Sequence, residues 1–163
     1  GTANALAGTI GAIQMGERSV TIRFDDVVGG ATTRLLAGPD RITIDIDGAQ
    51  TGAAVPGAAF VRAVRQGQQG PGQARVVLDL DQPAIITGGT FGPDGKSLTL
   101  AWRAASADEF AAAARAGRIT IAPSAQFRAK PPQTRYSVSV PIGKARPAAP
   151  LPQIEGPNDP RLP

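Results

Sequence analysis

The chain has 163 residues with no cysteine and no histidine, so it lacks the side chains that most often hold zinc or shuttle protons near neutral pH. Its formal charge of +4 hints at an anionic partner, yet residues 1–105 hold nine basic and nine acidic side chains, and the excess lies in the tail. A nucleic-acid face on the first part is therefore disfavoured, no apolar run of ~18 residues is present to span a bilayer, and no carboxylate spacing points to a facing catalytic pair. The chain begins with Gly1 and Thr2 rather than methionine, which suggests a trimmed chain whose targeting segment is out of view.

From the N-terminus, Ile10 to Glu17 is a first strand whose apolar residues Ile10 and Ile13 stand three apart, which breaks the alternation and predicts a bulge. Arg18 to Asp25 alternates cleanly, with Val20, Ile22 and Phe24 on one face and Thr21, Arg23 and Asp25 on the other. Gly29 and Gly30 mark a turn; they lack the Lys-Ser/Thr ending of a phosphate loop. Gly38-Pro39-Asp40 is another turn, and it opens the alternating run Arg41 to Asp47. Val61 to Gln68 repeats the first strand, fault included, with Val61 and Val64 three apart. After the Gly-rich turn Gly67 to Gly72 come Arg75 to Asp81, the turn Gly92-Pro93-Asp94, and Ser97 to Arg103.

The runs repeat as a set: Ile10 answers Val61, Val20 answers Val76, and Gly38-Pro39-Asp40 answers Gly92-Pro93-Asp94, always in the same order. A sheet with one apolar face cannot bury it alone. The expected fold is therefore all-β: residues 1–105 form two four-stranded sheets, one from each half, packed as a symmetric sandwich. Residues 106–143 form an extension. In it Ser106-Ala-Asp-Glu109 is a capping box, residues 107–116 a short helix stopped by Gly117 with Phe110 facing the sandwich, and Arg118 to Ala122 and Arg135 to Val140 are β-like runs. Residues 144–163 are Pro-rich and predict a semi-extended linker to a further domain.

At Arg75-Val-Val-Leu-Asp-Leu80, preceded by Val61-Arg-Ala-Val-Arg-Gln-Gly-Gln68, the chain resembles an AMIN domain, the non-catalytic N-terminal module of periplasmic N-acetylmuramoyl-L-alanine amidases. The resemblance covers roughly residues 8–104, with Asp40-Arg-Ile-Thr-Ile-Asp-Ile-Asp-Gly48 as the counterpart in the first half. It implies a sandwich of two four-stranded sheets, a periplasmic location, no cofactor, and a role in holding an amidase at the division septum by binding peptidoglycan. It also implies a partner in the zinc-dependent catalytic domain of the full-length amidase. Related modules occur in pilus secretins, so the alternative is a module that docks protein partners in an envelope assembly.

The strand Arg75 to Leu80 places Val76, Leu78 and Leu80 in the core and Arg75 and Asp79 outside; Ile42, Ile44 and Ile46 do the same for Arg41 and Asp45. The outward Arg and Asp residues read either as cross-strand ion pairs or as contacts to sugar hydroxyls, amides and carboxylates of the wall. For the second role the first choices are Arg62, Arg65 and Arg75, with Gln68 and Asp79 beside them and Arg41 and Asp45 as counterparts on the other sheet. Trp102 shares a face with Leu98 and Leu100 and belongs to the core rather than to a stacking platform.

Overall fold

The computed structural model describes residues 8–123. Eleven strands and one helix follow in order: β1 (Gly8–Met15), β2 (Ser19–Phe24), β3 (Gly30–Leu36), β4 (Arg41–Asp47), β5 (Ala49–Gln50), β6 (Pro56–Ala58), β7 (Val61–Gln68), β8 (Gln73–Leu80), β9 (Ala84–Phe91), β10 (Ser97–Ala104), α1 (Ala107–Ala116) and β11 (Ile119–Ile121). The run Arg135 to Val140 and the Pro-rich stretch from residue 144 lie outside the described residues.

The fold is all-β with one short helix, but the two sheets have five and six strands, in the orders β5-β1-β2-β10-β9 and β11-β3-β4-β8-β7-β6. Two departures from the expected pair of four-stranded sheets have physical causes. The short segments β5, β6 and β11 add to open edges, where unpaired N–H and C=O groups need partners. More consequentially, neither half forms a sheet of its own. Each half gives one hairpin to each sheet, so β2 pairs with β10 and β4 pairs with β8. The crossings fall at residues 25–29 and 81–83, where Asp and Pro end a strand without dictating which sheet the next one enters. Gly30 is held at φ +131°, a conformation costly for any side chain, and β3 starts there beside Ile121 and Pro123.

The inward faces of both sheets meet in one core. Val20, Ile22, Ile42, Ile44, Ile46, Val76, Leu78, Leu98 and Leu100 are almost wholly buried, and Trp102 is 4 % exposed, as the alternation requires. The first strand of each half is bulged at the expected place: the register shifts between Ile10 and Ala12 in β1 and between Val61 and Ala63 in β7. Gly11 and Arg62 are the extra residues, and the bulge keeps Ile10 with Ile13, and Val61 with Val64, facing the same core.

The segment Thr51 to Val55 between β5 and β6 is pinned by two amides. Gln66 Oε1 accepts from Gly52 N at 2.8 Å while its Nε2 donates to Ala53 O at 2.8 Å, and Gln68 Oε1 accepts from Thr51 N at 3.2 Å. Gly52 is required here, because a Cβ would fall 1.8 Å from Ile10 O.

Helix α1 starts with the full capping box. Ser106 Oγ accepts from Glu109 N at 3.1 Å, and Glu109 Oε1 accepts from Ser106 N at 3.0 Å. Phe110 inserts into the core at 2 % exposure, with Ala113 and Ala114 packed beside it. The helix packs on β3 and β9, and β11 then pairs with β3.

Candidate functional site

All seven residues singled out in the sequence lie on the six-stranded sheet; Arg41 and Asp45, expected on the opposite sheet from Arg75 and Asp79, sit beside them instead. The reason is the β4–β8 ladder, which places Arg41 opposite Asp79, Thr43 opposite Val77, Asp45 opposite Arg75 and Asp47 opposite Gln73. Because Ile42, Ile44, Ile46, Val76 and Leu78 point inward, this polar set shares the outer face.

Two bidentate ion pairs organise that face. Arg75 donates from Nε to Asp45 Oδ1 at 2.6 Å and from Nη2 to Oδ2 at 3.0 Å. Arg65, one strand over on β7 and opposite Val77, reaches diagonally to Asp79, with Nε to Oδ2 at 2.7 Å and Nη2 to Oδ1 at 2.8 Å. The carboxylates are largely covered while the guanidiniums stay open, 57 % for Arg65 and 38 % for Arg75. The fork from Arg65 is the main reason that the Asp79 carboxyl is held below the usual range; burial opposes it, and the charges of Arg65, Arg62 and Arg41 add to it. Both guanidiniums are correspondingly raised, each first of all by the hydrogen bond to its carboxylate.

The other candidates are placed differently. Arg41 turns away from Asp79 and donates from Nη1 to Pro39 O at 2.7 Å and Ala37 O at 3.3 Å, clasping the β3–β4 turn. Arg62, the bulge residue, makes one contact of 3.3 Å with Asp81, and both side chains are about half exposed. Gln68, opposite the buried Ala74, lies on the inward side of β7. Its Nε2 donates at 3.0 to 3.2 Å to Ala49 O on β5 and to Gly70 O and Gln73 O at the β7–β8 turn, so this amide is committed to holding the chain there.

Arg34, which the sequence reading did not select, belongs to the same face. It lies on β3 opposite Thr43, and its Nε is buried without a hydrogen-bond partner. The usable signal was the alternation of Thr32, Arg34 and Leu36 against Ala31, Thr33 and Leu35; the inward Thr33 hid it, since its hydroxyl is fully buried and donates to Thr43 O at 2.8 Å. The five-stranded sheet carries a second polar face: Gln14, Thr21, Thr99 and Thr90 stand in one row across four strands, with the Thr21 and Thr99 hydroxyls 3.0 Å apart. That hydroxyl row was also not selected from sequence.

Trp102 lines a shallow notch with Phe60, Pro83 and Ala84, and its Nε1 is buried without a partner. Among the described residues no three His, Cys, Asp or Glu side chains gather as metal ligands would. What the outer face of the six-stranded sheet offers is a set of guanidinium groups, two of them fixed by bidentate carboxylate pairs.

No curated protein matches the chain. The model of the AMIN domain matches residues 11–100, which span the two half-repeats and both bidentate pairs, and the chain therefore belongs to the AMIN family, non-catalytic modules that target proteins of the cell envelope.

Proposed function

We propose that the chain is a periplasmic peptidoglycan-binding module that localises a zinc-dependent N-acetylmuramoyl-L-alanine amidase to the division septum, and that the outer face of the six-stranded sheet is its holding surface. The carrying observation is the pair of bidentate Arg–Asp forks. Each spends two of the five guanidinium N–H donors on its own carboxylate and leaves the rest facing solvent in a fixed plane. A guanidinium held in this way loses little side-chain entropy on meeting a ligand. Arg62 adds a loosely tethered cation beside Arg65, and Asp45 and Asp79 serve as the fixed counter-charges. Arg41 shapes the surface by holding the β3–β4 turn, and Gln68 supports it from the inward side by holding the β7–β8 turn. In this reading the Pro-rich segment 144–163 connects the module to the catalytic domain of the full-length protein.

Exposed polar contacts contribute on the order of 1 kcal/mol each, so a single site is weak and the repeated polymer raises retention through multivalency. The test is co-sedimentation with purified sacculi at low salt. The intact chain is expected in the pellet, and Arg62→Ala, which leaves both forks in place, is expected to shift roughly a fewfold more of it to the supernatant. Complete failure of the intact chain to sediment overturns the proposal.

A further inference from the structure

The balance of charge on the outer face is uneven. On β4 and β8 both oxygens of Asp45 are taken by Arg75 and both oxygens of Asp79 by Arg65, and Asp47 accepts from Gln73 Nε2 at 2.8 Å. At the β3 side no such pairing exists. Arg34 is opposite Thr43, and its diagonal neighbours on β4 are Asp45, whose two oxygens each accept one bond from Arg75, and Arg41. Arg34 makes no ion pair or hydrogen bond among the described residues, although its Nε is buried, and Arg41 has only backbone carbonyls as acceptors. Arg118, exposed, precedes Ile119, whose partner in β3 is Thr33, next to Arg34. Arg34 is thus diagonal to Arg41 across the β3–β4 ladder, Arg118 precedes β11 on its other side, and none of the three engages a carboxylate among the described residues.

Diagonal neighbours on adjacent strands start about 7–8 Å apart, and with the Arg41 guanidinium drawn to the carbonyls of the β3–β4 turn, Arg34 is left as the cation without an acceptor among the described residues. A planar carboxylate satisfies such a guanidinium better than a hydroxyl or an amide does, because it accepts two parallel N–H bonds and cancels the charge. Arg34 Nε is covered, so a carboxylate meets the guanidinium at its Nη groups, which carry no hydrogen bond among the described residues, and the neighbouring Nε–H reports the contact.

We infer that the Arg34–Arg41 edge is a carboxylate subsite, built to take a free carboxylate carried by a peptide branch of the wall polymer. The inference rests on the wall-binding reading for the source of the carboxylate and on the geometry for its place. Arg118 supplies long-range attraction, and the Asp45–Arg75 fork forms the wall of the subsite on its far side.

The probe is a pair of soluble peptides, L-alanyl-γ-D-glutamyl-L-lysine with free carboxylates and the same peptide fully amidated at its carboxyl groups, titrated into the chain while NMR follows the Arg34 Nε–H resonance and the backbone amides of β3 and β4, the amides serving as the readout in the Arg34 variants. The free peptide is expected to shift that resonance saturably and to bind at least fivefold more tightly than the amidated one. Arg34→Met, which keeps the aliphatic stem, is expected to remove the preference, and Arg34→Lys to restore only part of it, since a point charge lacks the fork. Equal binding of the two peptides, or a preference that survives Arg34→Met in a chain with native dispersion, overturns the inference. Sodium acetate at the same ionic strength is the control: if it shifts the resonance as strongly as the peptide, the edge is a general anion site and the assignment to peptide branches falls. Sedimentation with sacculi separates the two readings. Wild type that pellets while both peptides bind alike leaves the wall reading standing without this subsite; a preference for the free peptide in a chain that never pellets leaves the subsite without the wall.

Discussion

Asp79 shows how far a single residue can be read from its neighbours. It lies on the outer face, as the alternation of Arg75 to Leu80 requires, yet it is only 9 % exposed, because Arg65 folds over it from the next strand. Sequence could place the carboxylate outside but could not name its partner, since a diagonal pair depends on the register between β7 and β8, and the bulge at Arg62 resets that register. Replacing Asp79 by Asn removes the charge and leaves the Arg65 fork one acceptor oxygen in place of two, with an amide NH2 facing the other N–H. With Arg65 half exposed, the expected loss is about 1–2 kcal/mol at pH 7. The folded-state pKa of Asp79 is depressed, so its contribution is present above the unfolded value of about 3.9 and is lost as pH falls through the folded value. Urea unfolding across pH 2–7 should therefore show wild type and Asp79→Asn separated at neutral pH and converging below about pH 4. A separation that stays constant down to pH 2 would mean that the pair contributes through packing rather than charge.

At the scale of elements, legibility followed how local the determining forces were. Helix α1 was read to the residue, because Ser106, Glu109 and Gly117 are all within its own span. The strands β2, β4, β8 and β10 were found because each alternates apolar and polar residues without a break. β3 and β9 were missed: Thr33 is a polar residue in an inward position, and Thr87 to Thr90 of β9 carry two glycines and lie exposed. β5 and β6, of two and three residues, exist only because an edge is there to pair with. The capping box makes a direct prediction. Ser106→Ala is expected to destabilise the chain by about 1 kcal/mol, measured by thermal unfolding, since it strips Glu109 N of its acceptor. The cost reaches beyond the helix because Phe110 docks it on β3 and β9, and hydrogen exchange should show faster opening of β11 in the same variant. For Gly52→Ala a larger loss is expected, because backbone at Ile10 O must move to admit the methyl group, and β1 with β5 should exchange first.

The duplication is a property of the whole molecule, and its meaning changed most between sequence and structure. If each half made its own sheet, a half would be a ready-made layer that needed only a cover. The observed pairing is different, because the central ladders of both sheets, β2 with β10 and β4 with β8, run between halves. A half alone therefore loses the inner partner of both its hairpins at once, and Val20, Ile22, Ile42, Ile44 and Ile46, all fully buried in the intact chain, become edge or surface residues. A pair of two-stranded hairpins with an exposed apolar face is at best marginally stable in water. The segment 8–55, cut in the connector before β6, is accordingly expected to lack dispersed amide resonances and a cooperative unfolding transition. Mixing it with residues 56–123 should restore both, because the pairing surfaces are complementary and every bond across the cut is non-covalent except one peptide link. Should segment 8–55 fold by itself as a monomer, the cross-half ladders would not be what holds the sandwich together. The same arrangement fixes the candidate surface, since Asp45 comes from one half and Arg75 from the other. Recovery of the fork, followed through the shift of the Arg75 Nε–H resonance, should track recovery of the fold on mixing, and the same shifted resonance in residues 56–123 alone, which lack Asp45, would contradict the pairing.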